Sequence, residues 1–201
     1  MLSTQLKRAS IGGAFVLALL GLSGCDTKPQ FNSTDITGAS LTAPFELKDL
    51  EGQTRTLASY KGKVVAIFFG YTHCPDVCPT TLAEWAQVKQ KLGSKGDKLK
   101  VLFVSVDPER DTPELLKQYV PKFDPSFDAL TGSEDQLKPL LAGLKVYAAK
   151  VPQGDKPGDY LMDHTASSYV FDQTGAIRLL VRYNTPVKDI ASDVEQIIDG
   201  K

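Results

Sequence analysis

Cys74, Cys78 and His73 fall in one stretch, Gly70-Tyr-Thr-His-Cys-Pro-Asp-Val-Cys-Pro79, of a 201-residue chain with three cysteines and two histidines. Leu82, Trp85, Val88 and Leu92 follow at helical spacing, and Pro79 suits a first helical turn, where its missing N–H costs nothing. The cysteines therefore sit where an apolar strand pattern passes into a helix. Unpaired N–H groups at a helix amino terminus favour thiolate over thiol. Residues four apart share a helical face, so the two sulfurs can act together. The chemistry open to such a pair is thiol exchange or metal binding.

A third participant has to arrive from elsewhere, and the apolar patterning says how. Val64 to Phe69 is a continuous apolar run with glycine near both ends, the pattern of a strand buried on both faces. Leu99 to Val106 is a second, halted by Asp107-Pro108. In an open α/β sheet, ligands gather at the carboxyl ends of parallel strands. Cys74 follows the first of these strands and Asp107 the second. An antiparallel strand over Ser168 to Phe171 starts at that same edge, so His164 reaches it from the preceding loop.

The remaining elements complete the frame. Phe45 to Lys48 and Thr54 to Leu57 form an N-terminal β-hairpin about Gly52. Asp111-Thr-Pro-Glu114 and Ser133-Glu-Asp-Gln136 open helices, the second with the residues of a capping box. Phe127 to Leu130 and Lys145 to Val151 are strand-like, and Pro152 to Asp163 reads as a long surface loop. Ser168 to Phe171 and Ala176 to Tyr183 flank a turn at Asp172-Gln-Thr-Gly175. Val187, Ile190, Val194, Ile197 and Ile198 mark a terminal amphipathic helix. Alternating strands and helices imply an α/β fold with a partly parallel, mixed sheet between helical layers, a three-layer sandwich of the thioredoxin type.

Two thiolates and a neutral imidazole form a soft donor set that suits Cu(I) and, with a further ligand, Cu(II). Zinc accepts the same donors. A redox dithiol is also compatible, although a thioredoxin-like motif has two intervening residues rather than three. Thr72, two residues before Cys74, keeps a peroxide-reducing thiol protein among the alternatives, and a copper or redox sensor is another. Around the set, Asp76 can tune the thiols or stabilise its turn. Asp107 can accept a hydrogen bond behind the ligands or end a strand, and Asp163 can orient His164 or end its loop. His73 neighbours Cys74 but points the other way in an extended turn. Glu109, Arg110 and Asp111 read as a solvated capping surface, and Trp85 as core.

Composition narrows the setting. A net charge of −1 with 42% apolar and 23% charged residues carries no nucleic-acid footprint and fits one domain. Lys7 and Arg8 precede a short apolar run, Ile11 to Leu22, which is too short to span a bilayer and reads as an export signal over residues 1–24. Residues 25–40 are polar and read as a flexible tether, and 41–201 as the folded domain. Export places Cys74 and Cys78 where a disulfide can persist. A structural staple closing so small a loop stabilises little, so the pair reads as chemical.

Leu22-Ser-Gly-Cys25 resembles a bacterial lipobox, which implies lipid on Cys25, and Asp26 resembles an inner-membrane retention signal. The chain itself resembles the Sco (SenC) family in three blocks: Gly70 to Thr81, Val104-Ser-Val-Asp-Pro-Glu-Arg-Asp-Thr-Pro113 and Asp163-His-Thr165. Asp35-Ile-Thr-Gly38 is similar to that family's opening segment. The resemblance implies a thioredoxin-like fold and one copper ion per chain, held by Cys74, Cys78 and His164. It also implies a metallochaperone role in building the dinuclear copper centre of cytochrome c oxidase. The implied partners are the copper-bearing oxidase subunit and other copper chaperones, at the periplasmic face of a Gram-negative inner membrane. Family members are taken to deliver copper, to reduce target cysteines, or both, so enzymatic activity is left open.

Overall fold

The structure, a computed structural model, describes residues 29–156 and 158–201. The expected export signal and the expected lipidation at Cys25 lie outside the described residues. The chain joins the fold at β1 (Thr34–Asp35), earlier than a tether reaching residue 40 implies. Asp193, fully buried, accepts hydrogen bonds from the backbone N–H of Asn32 at 2.8 Å and of Ser33 at 2.7 Å. Polar composition hid this docking because the hold on the segment is itself polar. A short hairpin follows, β2 (Leu47–Lys48) with β3 (Thr54–Arg55), as the sequence suggests.

The central strand is β4 (Val64–Gly70), buried along its whole length. It pairs in parallel with β5 (Leu99–Ser105), which pairs in parallel with β6 (Asp128–Leu130). On its other side β4 pairs antiparallel with β9 (Ser168–Phe171), then β10 (Ile177–Val181) and β1 complete the sheet. The helices are α1 (Val77–Lys91), α2 (Pro113–Tyr119), α3 (Glu134–Leu144) and α4 (Val187–Ile198).

Adjacent residues of β9 show how the layers lie. Ser168 accepts the indole N–H of Trp85 at 2.9 Å, whereas Tyr169 donates its hydroxyl to the Leu144 carbonyl at 2.9 Å. Neighbouring strand residues point to opposite faces, so α1 and the end of α3 cover opposite sides of the sheet. The result is a mixed-sheet α/β sandwich of the thioredoxin-like class. Trp85, 1% exposed, belongs to its core.

The clearest departure concerns Pro152 to Asp163. Tyr160–His164 forms β8, which pairs antiparallel with β7 (Ala148–Pro152) in a separate two-stranded sheet. Prolines, glycines and charges mask a period-two pattern that becomes plain once the register is known. Tyr160, Met162 and His164 alternate with Leu161 and Asp163, and Met162 is buried while Leu161 and Asp163 are exposed. His164 is thus the last residue of a strand rather than part of an irregular loop.

Candidate metal centre

Strand β4 ends at Gly70, partnered with Ser105 at the end of β5, so the segments after both strands leave from the same edge. Gly70 has no room for a side chain. A Cβ there would lie 2.7 Å from the Phe103 ring and 2.9 Å from Cys78 Sγ, so its absence lets the thiol approach the sheet. Gly70→Ala is accordingly expected to displace Cys78 and to destabilise the domain by about 1–3 kcal/mol through overpacking. Thermal melting checks the second effect and a metal titration the first; wild-type behaviour in both would refute the close approach.

The segment between Gly70 and α1 is pinned from beneath. Asp111, 1% exposed, accepts from Thr72 Oγ1 at 2.6 Å, from the Thr72 backbone N–H at 3.2 Å and from Ser105 Oγ at 2.6 Å. This corrects the solvated role expected for Asp111. The cap of α2 is Thr112, whose Oγ1 accepts from the Leu115 N–H at 3.3 Å. Because the N–H groups of Arg110 and Asp111 both fold back onto the Asp107 carbonyl, the turn directs its acid inward. Burial raises the pKa of Asp111, opposed by its hydrogen bonds from Ser105 and Thr72.

Above this support the three donors converge. One atom from each of Cys74, Cys78 and His164 lies within 4.8 Å of the other two. Cys78 Sγ is 3.5 Å from His164 Nε2, and the Cys78 N–H points at Cys74 Sγ across 3.4 Å. The Cys74 sulfur therefore occupies the amino end of α1, where Asp76 forms no side-chain cap. Both cysteines are free, Cys78 buried and Cys74 half-buried. His164 stands edge-on to Tyr71 and Phe68, with ring centroids 5.9 and 6.1 Å away. Its Nδ1 is 3.2 Å from the Thr165 carbonyl. A carbonyl only accepts, so Nδ1 is the nitrogen that donates to it, and Nε2 is the one turned to the sulfurs.

The pair is electrically unequal. The Cys78 thiol donates to Cys74 and lowers its pKa well below that of an ordinary thiol; burial opposes this, while His164 and the N–H groups of Asp76 and Cys78 assist. Cys78 is pushed up in turn, by that same hydrogen bond and by burial. Without metal, the shared hydrogen bond and the deeper burial of Cys78 favour thiolate on the outer sulfur over the inner one.

The remaining candidates are scattered. His73 is exposed, with Nδ1 3.1 Å from Thr72 Oγ1 and 3.9 Å from Asp111, and stays outside the cluster. Asp76 is exposed and offers its backbone N–H to Cys74. Asp163 precedes His164 in β8 and so falls on the opposite, exposed face of the strand, while the two His164 nitrogens face Thr165 and Cys78. Asp107 is fully buried, but its carboxylate is occupied by Arg110 Nε at 2.5 Å and Tyr160 Oη at 2.7 Å. It touches none of the three donors. Sequence reasoning overlooked Gly70 and Tyr160 and put Asp111 at the surface; only the run Asp107-Pro-Glu-Arg-Asp111 signalled that charges were concentrated after β5.

Two sulfurs and an imidazole nitrogen, with no carboxylate among them, fit a soft or borderline metal ion and not a hard one. The comparisons with known proteins place the chain beside copper-bound structures. The family described as SCO1/SenC matches residues 33–199. A SCO2-like protein of Rickettsia prowazekii is 34% identical over 165 residues, covering 82% of this chain and 80% of that one. The copper-bound structure of Bradyrhizobium japonicum ScoI is 43% identical and superposes with a TM-score of 0.71, covering 78% of this chain and 99% of that one. A structure of BsSco, described as carrying a disulfide switch in a family of cytochrome c oxidase assembly proteins, is 28% identical. It has a TM-score of 0.64, with coverage of 84% and 98%.

Proposed function

The chain belongs to the SCO1/SenC family, and from that premise we propose that it is a membrane-tethered copper metallochaperone. It takes one copper ion as cargo on Cys74, Cys78 and His164 and serves assembly of the dinuclear copper centre of cytochrome c oxidase. The observation that carries this reading is the meeting of three soft donors within 4.8 Å at one sheet edge. Cargo loading needs both sulfurs as thiolates, so it expels the Cys78 proton, and affinity falls as the solution is acidified. Oxidation to a disulfide removes both sulfur donors and releases the ion. The tether is a diacylated Cys25, which places the domain at the periplasmic face of the inner membrane. Among the described residues no helix is long and apolar enough to cross a bilayer. The copper-bearing oxidase subunit and other copper chaperones are the proposed partners.

The unequal sulfurs support a second reading, thiol-disulfide exchange with a target protein. Cys74 thiolate attacks a target disulfide and forms a mixed disulfide. Cys78, once deprotonated, displaces the target's remaining thiolate and leaves a Cys74–Cys78 disulfide with a reduced target. His164 separates the two readings. His164→Ala is expected to weaken Cu(II) binding by roughly two orders of magnitude, the share of one ligand in a site of a few donors, while thiol exchange persists. Copper titration of the reduced protein, followed by absorption and EPR and repeated after oxidation, provides the test. Unchanged Cu(II) affinity in the variant would remove His164 from the site. Copper binding that survives oxidation would overturn the chaperone reading.

A further inference from the structure

We propose that Arg110, clamped between Asp107 and Tyr160, is the positioning residue that holds His164 against the sulfur pair. His164 is set apart from the cysteines by its support. Cys74 and Cys78 sit on the α1 entrance directly after β4, the most buried strand. His164 ends β8, whose ladder partner is β7 alone and not the six-stranded sheet. Ligand geometry has to be held within about 0.5 Å to be productive, and a two-stranded ribbon is marginally stable unaided. Contacts outside the ladder must fix the hairpin.

Arg110 supplies the most directional of them. Its Nε donates to Asp107 Oδ2 at 2.5 Å, and its Nη1 donates to the backbone carbonyl of Tyr160 at 2.7 Å. The guanidinium carbon lies 3.6 Å from the centroid of the Tyr160 ring, and Tyr160 Oη returns to Asp107 Oδ1 at 2.7 Å. The first residue of β8 is therefore gripped at its carbonyl, its ring and its hydroxyl. Asp107 is fully buried and Arg110 mostly so, with side-chain exposures of 0% and 19%. These charge-assisted bonds escape the screening that weakens exposed pairs. On its other side Arg110 stands 5.7 Å from the Tyr71 ring, which meets His164 edge-on at 5.9 Å. One guanidinium thus braces the strand that carries the imidazole and the aromatic wall against which the imidazole rests. Lys150, which pairs with exposed Glu109 and stands 5.2 Å from the Tyr160 ring, offers a solvent-screened charge on the same hairpin for comparison with the buried one.

The test compares full-length wild type with Arg110→Lys, Tyr160→Phe and Lys150→Ala, first without metal. Lysine keeps the charge and loses the planar fork and the stack. Hydrogen exchange at β7 and β8 is expected to quicken roughly ten-fold in Arg110→Lys, the scale of one lost charge-assisted hydrogen bond. Exchange in β4, β5 and α1, and alkylation of Cys74, should not change. With Cu(II) added, the nitrogen coupling in the EPR spectrum should weaken and affinity fall about 10–100-fold, as for groups that orient ligands. Lys150→Ala should behave as wild type. Should Arg110→Lys fail to fold, Tyr160→Phe, which removes only the hydroxyl, should show the same confined quickening to a smaller degree. Wild-type exchange in the hairpin of both variants overturns the proposal. So does equal quickening in hairpin and sheet, which would make Arg110 merely structural. The copper arm rests on the metallochaperone reading: a loosened hairpin with no nitrogen coupling even in wild type supports the positioning role and sinks that reading.

Discussion

Cys78→Ala is expected to cut copper affinity by roughly three orders of magnitude, more than the loss of any other donor. Cys78 is the innermost of the three, fully buried, with its sulfur seated over Gly70 and beside His164 Nε2. Among the described residues no carboxylate joins the three donors. The substitution has a second signature, which needs no metal. Cys78 is the largest contributor to the lowered pKa of Cys74, so without it that pKa rises. Alkylation of Cys74 in mildly acidic buffer should therefore slow in Cys78→Ala, because less thiolate is present. Absorption titration with copper reads the first effect and the pH profile of alkylation reads the second. Copper bound with wild-type affinity would exclude Cys78 as a ligand. An unshifted alkylation profile would show that the two sulfurs are not coupled.

Asp111→Ala is expected to cost about 2–4 kcal/mol, since it strands the buried donors of Thr72 and Ser105. For a domain of this size that corresponds to a fall in melting temperature of roughly 10 °C. The hydroxyls of Thr72 and Ser105 can turn towards other acceptors, but the Thr72 N–H cannot, and it lies two residues before Cys74. The loss should therefore disturb the entrance of α1 as well as lower stability. Asp111→Asn keeps the shape and removes the charge, which gives a pH-dependent comparison. Burial raises the Asp111 pKa in the folded state, so the folded protein binds the proton more readily than the unfolded chain. The wild-type acid then loses stability as pH rises from the unfolded carboxylate value through the folded one. Across that window the stability of wild type should fall relative to Asp111→Asn. Denaturant melts at several pH values check this, and a constant difference would show that Asp111 has an unperturbed pKa.

Much of this arrangement was legible in the chain because it depends on periodicity and topology. The unbroken apolar run of β4, the halt at Asp107-Pro108 and the hairpin turn at Asp172-Gln-Thr-Gly175 are enough to bring Cys74, Asp107 and His164 to one edge. Ser133 and Gln136 formed the expected capping box because its two bonds are local. Contacts that depend on distant partners were hidden. Asp111 resembles a helix cap in sequence, and its burial follows from Thr72, 39 residues away. Strand β8 was hidden by turn-forming residues ahead of it and by the brevity of its alternation. Asp193, inside an amphipathic helix, gives no local sign that it clamps the backbone of Ser33.

The hairpin also fixes an order of events. His164 and Cys78 are 86 residues apart in sequence, and the strand carrying His164 lies outside the ladder of the main sheet. An unfolded chain can offer two thiols four residues apart, but it meets the imidazole only after loop closure over most of the domain. The complete donor set is therefore a property of the native state alone. Copper bound there stabilises the fold by mass action, about 4 kcal/mol when free ion stands a thousand-fold above the dissociation constant. Loading of the full donor set follows folding, because the imidazole joins the two thiols only after the last strands have closed.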